Sequence, residues 1–177
     1  RALGDYWDVL NITYKRAPQG NISVNTNHAM SMGEGDILKV LYSDDFILTS
    51  NLTEQLDKAF TSDVSWAVTG FAHSIDNGQT HYNPKLPVYN DRLLEGVNTL
   101  SSPSILAIRN DIREFFDEHL IMLMDCDMYY RLYKNYGNPV VLEDIHISNR
   151  EHRNQTSRSN EHLIPEEIDY LKKKHSV

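Results

Sequence analysis

Residues 37–42 (Ile-Leu-Lys-Val-Leu-Tyr) are almost continuously apolar, and the run stops abruptly at Ser43-Asp44-Asp45. A short apolar run bounded by turn residues predicts a buried strand in the middle of a sheet. Ending it in two adjacent acids is costly unless something offsets their repulsion. A solvated turn would do so, because Asp-Asp pairs suit turns. A divalent cation would also do so, and hard carboxylate oxygens suit Mg²⁺ or Mn²⁺.

Around this strand the chain alternates. Residues 11–16 predict a short strand, followed by the turn Pro18-Gln19-Gly20. Ser23 is placed to cap a helix that runs to Met32 and stops at Gly33 and Gly35. A helix over 53–60, a strand over 64–71 and a strand over 104–108 follow. Between them, 74–95 is rich in Asn, Asp, Gly and Pro and predicts a long loop, a common place for lids and binding loops. Leu120, Met124, Met128 and Leu132 recur every fourth residue, which predicts a helix with one apolar stripe, ended by Gly137 and Pro139. Residues 140–147 predict a further strand, and 149–160 a polar loop. A last helix opens with Pro165-Glu166-Glu167 and closes with Lys172, Lys173 and Lys174, matching the helix dipole at both ends. Alternating strands and helices imply an α/β fold with a parallel or mixed sheet. Ligands of such sheets sit beyond the carboxyl ends of strands, which directs attention to Asp44-Asp45 and to the loop after residue 147.

Composition narrows the function. With 177 residues, 40% hydrophobic and 24% charged, the chain is neither disordered nor fibrous. A net charge of -8 argues against a nucleic-acid binder, which needs a basic surface. Residues 145–177 carry six Lys/Arg and five Asp/Glu, so the acidic charge lies in the first 144. Cys126 is the single cysteine, so no intrachain disulfide forms, and its helix is where it packs. No stretch approaches about 20 apolar residues, so no transmembrane segment is expected. Four N-x-[ST] sequons (Asn11, Asn21, Asn51, Asn154) are taken as chance, and a cytoplasmic location is expected.

Two further groups carry candidate chemistry. In Met124-Asp-Cys-Asp-Met-Tyr-Tyr-Arg131, Asp127 and Arg131 are spaced for a surface ion pair. Asp125 has no such partner. At the start of a helix beside apolar groups it is either a dipole-stabilised acid or a general base. The segment Arg150-Glu-His152-Arg153 follows a strand and is either a solvated loop or a phosphate- or metal-contacting one. The tyrosines at 129, 130, 133 and 136 are expected to pack the helix. The other histidines form no metal-ligand spacing.

Taken in order, these pieces resemble the family 2 glycosyltransferases, which have the GT-A fold. The resemblance spans about 12–157. It rests on Gly20-Asn-Ile-Ser-Val-Asn-Thr-Asn27, Gly35-Asp-Ile-Leu-Lys-Val-Leu-Tyr-Ser-Asp-Asp45, the segment 96–109, Phe116-Asp-Glu-His-Leu120, Asp125-Cys-Asp-Met-Tyr-Tyr-Arg-Leu132, and Arg150-x-His152 with Gln155 and Ser157. It implies a GT-A-like, Rossmann-related mixed sheet flanked by helices. The partial domain would cover 1–160, with 161–177 a C-terminal helix or tail.

The implied activity is inverting, metal-dependent transfer of a sugar from a nucleotide-diphosphate sugar to a glycan or polysaccharide. Asp45 would hold Mn²⁺ or Mg²⁺ with His152, while Asp44, Asp45 and Arg150 contact the donor. Asp125 would be the base, and Asn98, Ser102, Asp117 and Glu118 would face the acceptor. Three departures stand out. Ser43 replaces an acid, Met124 replaces the Glu before the base, and the family's nucleotide-gripping start is missing, with residues 1–10 resembling the end of the helix after it. A missing sheet edge would favour a homo-oligomer. The competing readings are a non-catalytic remnant of the same fold and an unrelated α/β binding module.

Overall fold

The structure is a computed structural model that describes residues 10–17, 20–153 and 155–176. The expected resemblance of residues 1–10 to the end of a helix falls almost wholly outside these. The described elements run α1 (Ile22–Ser31), β1 (Ile37–Lys39), β2 (Phe46–Ile47), α2 (Leu52–Ala59), β3 (Trp66–Ser74) and β4 (Tyr82–Lys85). They continue with β5 (Leu106–Arg109), α3 (Met124–Tyr136), β6 (Val140–Arg150), α4 (Thr156–Asn160) and α5 (Ile164–His175). The sheet is mixed, in the order β1-β5-β3-β6-β2, with β4 paired to β3. Only β3 and β6 run parallel.

The centre of the sheet is β3, buried at all but one position. It has strands on both sides and so shelters both faces. Residues 37–42, expected there, instead supply a three-residue edge strand that is only half-buried. Beyond Lys39 a single bond, Val40 N–H to the Leu106 carbonyl, continues the pairing.

Other expectations shift for local reasons. Residues 11–16 form no strand, because no described strand pairs with them. Asn21, not Ser23, caps α1, its side chain accepting from Val24 N–H at 2.9 Å. Ser23 is buried and donates to the Leu120 carbonyl. Asn27 on the same helix donates to the Phe116 carbonyl and accepts from Phe116 N–H, both at 2.8 Å. These bonds lash residues 116–120 to α1. The expected loop 74–95 contains β4, a fully exposed strand that tolerates Pro84 because it lies at an edge.

One glycine is forced by a close approach. The register between β3 and β6 shifts at Gly70, where β6 carries extra residues. A Cβ at Gly70 would lie 2.7 Å from the Asp144 carbonyl oxygen. Gly137, with φ +77°, ends α3 in a conformation that other residues adopt at a cost.

The core joins the sheet to α3 and α5. Trp66, Leu106, Ile108, Leu120, Met128, Tyr129, Leu132, Ile147 and Leu171 are all at most 1% exposed. Trp66 stacks on Tyr129 and donates from its indole to the Gly137 carbonyl. Among the described residues no helix is long and apolar enough to cross a membrane.

Candidate active site

The carboxyl ends of β1 and β6 and the amino end of α3 converge on one cleft of about 1260 Å³. Asp44 and Asp45 enter it from the turn after β1, Arg150 and His152 from the end of β6, and Asp125 from the first turn of α3. Ser102 closes one wall. The rule that sheets bind ligands beyond strand carboxyl ends thus locates the cleft.

Asp125 is held by a short strap of chain. Asn98 donates to its Oδ2 at 2.8 Å, and Cys126 N–H reaches its Oδ1 at 2.8 Å. Burial pushes its carboxyl up from 3.8 to about 6, more than these two donors lower it. A carboxylate with a midpoint near 6 is ionised at neutral pH yet still basic, as a general base requires.

The strap continues to the other acid. The Asn98 side chain also donates to the Ser101 carbonyl and accepts from Leu100 and Ser101 N–H. Ser101 adopts φ +129°, a strained backbone for a residue with a Cβ. Tyr129 fixes the strap from beneath by donating to the Ser101 and Ser102 carbonyls at 3.2 and 3.1 Å. Ser102 donates to Asn149 Oδ1 at 2.8 Å and stands 3.4 Å from Asp45 Oδ2. Residues 98–102 therefore tie the surroundings of Asp125 to those of Asp45.

Asp45 accepts from Arg150 N–H at 3.0 Å, which couples the end of β1 to the end of β6. Burial raises its carboxyl above the ordinary value, against the donors Ser104, Arg150 and Ser102. Among the described residues it has no ion-pair partner within 4 Å, while Asp44 meets His152 Nε2 at 3.0 Å. Lys39 is half-buried close by, donating to the carbonyls of Val40 and Ser104. Burial lowers its ammonium from 10.5 to about 7, although Asp45 pulls the other way.

The acids fit a cation held mainly by its substrate. Among the described residues no cluster of three or more His, Cys, Asp or Glu forms a self-sufficient metal cage. Mg²⁺ and similar ions are commonly held by one or two carboxylates plus substrate phosphates. Asp45 and His152, both lining the cleft, are the residues that could hold such an ion, although His152 Nε2 is engaged by Asp44.

The sequence-derived residues divide. Asp44, Asp45, Ser102, Asp125, Arg150 and His152 line the cleft, and Asn98 reaches it through Asp125. Asp117 and Glu118 are not among the lining residues. Asp117 accepts from Tyr170 and Lys174 on α5. Burial opposes its ionised form, but Lys174 and the other donors outweigh it and hold the carboxyl low. Glu118 accepts from Asn27. The Asp127–Arg131 pair forms, but Asp127 is fully buried rather than on the surface, and it also holds Lys174 and His175. Sequence reasoning passed over Lys39 and Asn149, and took Tyr129 for helix packing alone. Asn149 had a usable signal, since it opens the loop just after a predicted strand. The part Tyr129 plays had none, because it depends on a backbone turn.

The same fold is known elsewhere. The chain superposes on residues 1–349 of Staphylococcus aureus TarS with a TM-score of 0.63 at 18% identity. A second TarS structure, in complex with UDP, gives 0.62 at 18%. Each match covers 96% of this chain and 51% of the TarS 1–349 chain, so this chain spans about half the length of that solved chain. No protein-family model and no curated protein matches the sequence. The fold is therefore glycosyltransferase-like, with a mixed sheet flanked by helices. That leaves an unrelated α/β module without support.

Proposed function

We propose that this chain is the catalytic part of an inverting glycosyltransferase of the family 2 type. It would move a sugar from a nucleotide-diphosphate donor to a hydroxyl of a glycan or polysaccharide, in the cytoplasm. The observation that carries the reading is the strap 98–102. It links a half-buried carboxylate raised to about 6 to Asp45, a second acid lining the same cleft. The UDP complex of the TarS neighbour supports a nucleotide diphosphate as the donor's leaving group.

In this reading Asp125 takes the proton from the acceptor hydroxyl. The freed oxygen attacks the anomeric carbon from the face opposite the departing diphosphate, which inverts that centre. Asn98 keeps the Asp125 carboxylate turned toward the cleft. Arg150 offers its guanidinium to the diphosphate. Asp44 would orient His152, which it meets at 3.0 Å, and would contact the ribose. A divalent cation, Mn²⁺ or Mg²⁺, held by Asp45 and His152, would supply charge stabilisation to the leaving diphosphate. Ser102 would face the acceptor.

Calorimetry with UDP- and GDP-sugars in the presence of Mn²⁺ tests this. Binding that needs Mn²⁺ and is lost in Asp45→Ala is expected. An absence of binding, with Asp45→Ala indistinguishable from the parent, would reduce the chain to a bearer of the fold alone.

A further inference from the structure

We infer that α5 is a working part of the site, and that Glu167 positions Asp125 by holding the turn that leads into α3. This rests on the reading of Asp125 as the base.

Helix α3 starts without a cap of its own: its N-cap residue, Leu123, makes no side-chain cap bond. Backbone amides enclosed in the turn before a helix also need acceptors, and leaving them unpaired costs stability. Glu167 supplies these acceptors from α5. Its Oε1 accepts from Ile121 N–H at 2.9 Å, and its Oε2 from Met122 and Leu123 N–H at 3.0 and 2.8 Å. Glu167 is 6% exposed, so these bonds are shielded from water. The negative charge also meets the positive end of the α3 dipole. A sequence reading assigns Glu167 to the dipole of its own helix, whereas the fold points it at another.

The same helix grips the far side of Asp125. Lys174 and His175 bond to Asp127 Oδ1 at 2.9 and 2.8 Å, and Arg131 holds its Oδ2 at 2.8 Å. Tyr170 and Lys174 hold Asp117 at 2.9 and 2.6 Å. Asp125 therefore sits between two points, residues 121–123 and Asp127, that α5 fixes. Ile121, Met122 and Met124 line the cleft, so the position of this turn also shapes the pocket wall.

The test uses the full chain with Glu167→Gln and Glu167→Ala, and Glu166→Gln as an exposed control. Carbon-13 NMR of the Asp carboxyls follows the Asp125 midpoint. Amide exchange follows Ile121, Met122 and Leu123, and calorimetry with UDP and Mn²⁺ follows the donor side. In Glu167→Gln the three amides should exchange at least tenfold faster. The Asp125 midpoint should fall from near 6 toward the ordinary carboxylate value. UDP affinity should stay within twofold, and Glu166→Gln should change nothing. If Glu167→Ala fails to fold, Glu167→Gln decides. Faster amide exchange with an unmoved Asp125 midpoint would make Glu167 merely structural and overturn the inference. These readouts do not depend on sugar transfer, whereas full transfer activity in Asp125→Asn would overturn the base assignment itself.

Discussion

Replacing Asp125 by Asn should sharply lower transfer and at the same time make the protein more stable at neutral pH. Its midpoint is raised from 3.8 to about 6 because most of the carboxyl is enclosed. A midpoint higher in the folded state than in the unfolded state means that the folded protein holds the proton more tightly. That advantage is complete below pH 3.8 and is lost as pH rises through 6. Above pH 6 the buried anion thus costs up to about 3 kcal/mol relative to its protonated form. Asn is neutral at every pH and keeps an oxygen that can accept from Asn98. For a chain of this size about 3 kcal/mol corresponds to roughly 6–12 °C in Tm. The asparagine variant should therefore melt several degrees higher at pH 7.5 and show little gain at pH 4. Removal of a general base should lower turnover by about 10²–10⁴-fold. Parent turnover should rise with pH to a plateau with its midpoint near 6. Scanning calorimetry of both proteins at pH 4 and 7.5 reads the stability arm. An equal Tm difference at the two pH values would refute the claim that ionising Asp125 strains the fold. An acid limb of the rate profile unrelated to pH 6 would refute its role as base.

Asp127→Asn should be strongly destabilising, by about 3–5 kcal/mol, because it leaves Arg131, Lys174 and His175 around a neutral buried group. Burial opposes ionisation of Asp127, but its basic partners lower its midpoint, so its contribution is present above the ordinary carboxylate range and fades as pH falls through its lowered midpoint. Urea titrations should show the penalty shrinking in acid, and a pH-independent penalty would count against this account. Gly70→Ala should lower stability by about 1–3 kcal/mol, since its Cβ would press on the Asp144 carbonyl at the register shift; an unchanged Tm would show that the strands move apart freely. Among the described residues no strand covers the outer edge of β1, and such edges invite pairing. Self-association in light scattering is expected, and a monodisperse monomer would contradict it.

Elements with their own local signals were legible before the fold. The four-residue recurrence of Leu120, Met124, Met128 and Leu132 located α3, because a helix must turn one face to the core. Gly137 marked its end, since its backbone angle suits glycine. Pro165 and the three lysines framed α5 in the same way. Edge strands were not legible. Residues 37–42 carry the apolarity of a central strand, yet apolar content does not tell which neighbours a strand will find. Tyr82–Lys85 carries a proline that argues against a strand, and only its place at the edge of β3 makes it one.

The site divides along the same line. The family resemblance selected Asp44, Asp45, Asp125, Arg150 and His152, whose positions taken alone also suited a solvated turn, a helix-start acid and a polar loop. Sequence reasoning assigned Glu167 to its own helix, Asp127 to the surface, and Asp117 and Glu118 to the acceptor side. Only the tertiary structure determined which acids are paired, which are buried without a cation, and which lie in the cleft. A carboxylate's basicity depends on its distance to water and to other charges, and those distances are set by parts of the chain up to about a hundred residues apart, as in the bond from Arg150 to Asp45. Sequence determined which groups could do chemistry, and the fold determined which of them have the environment for it.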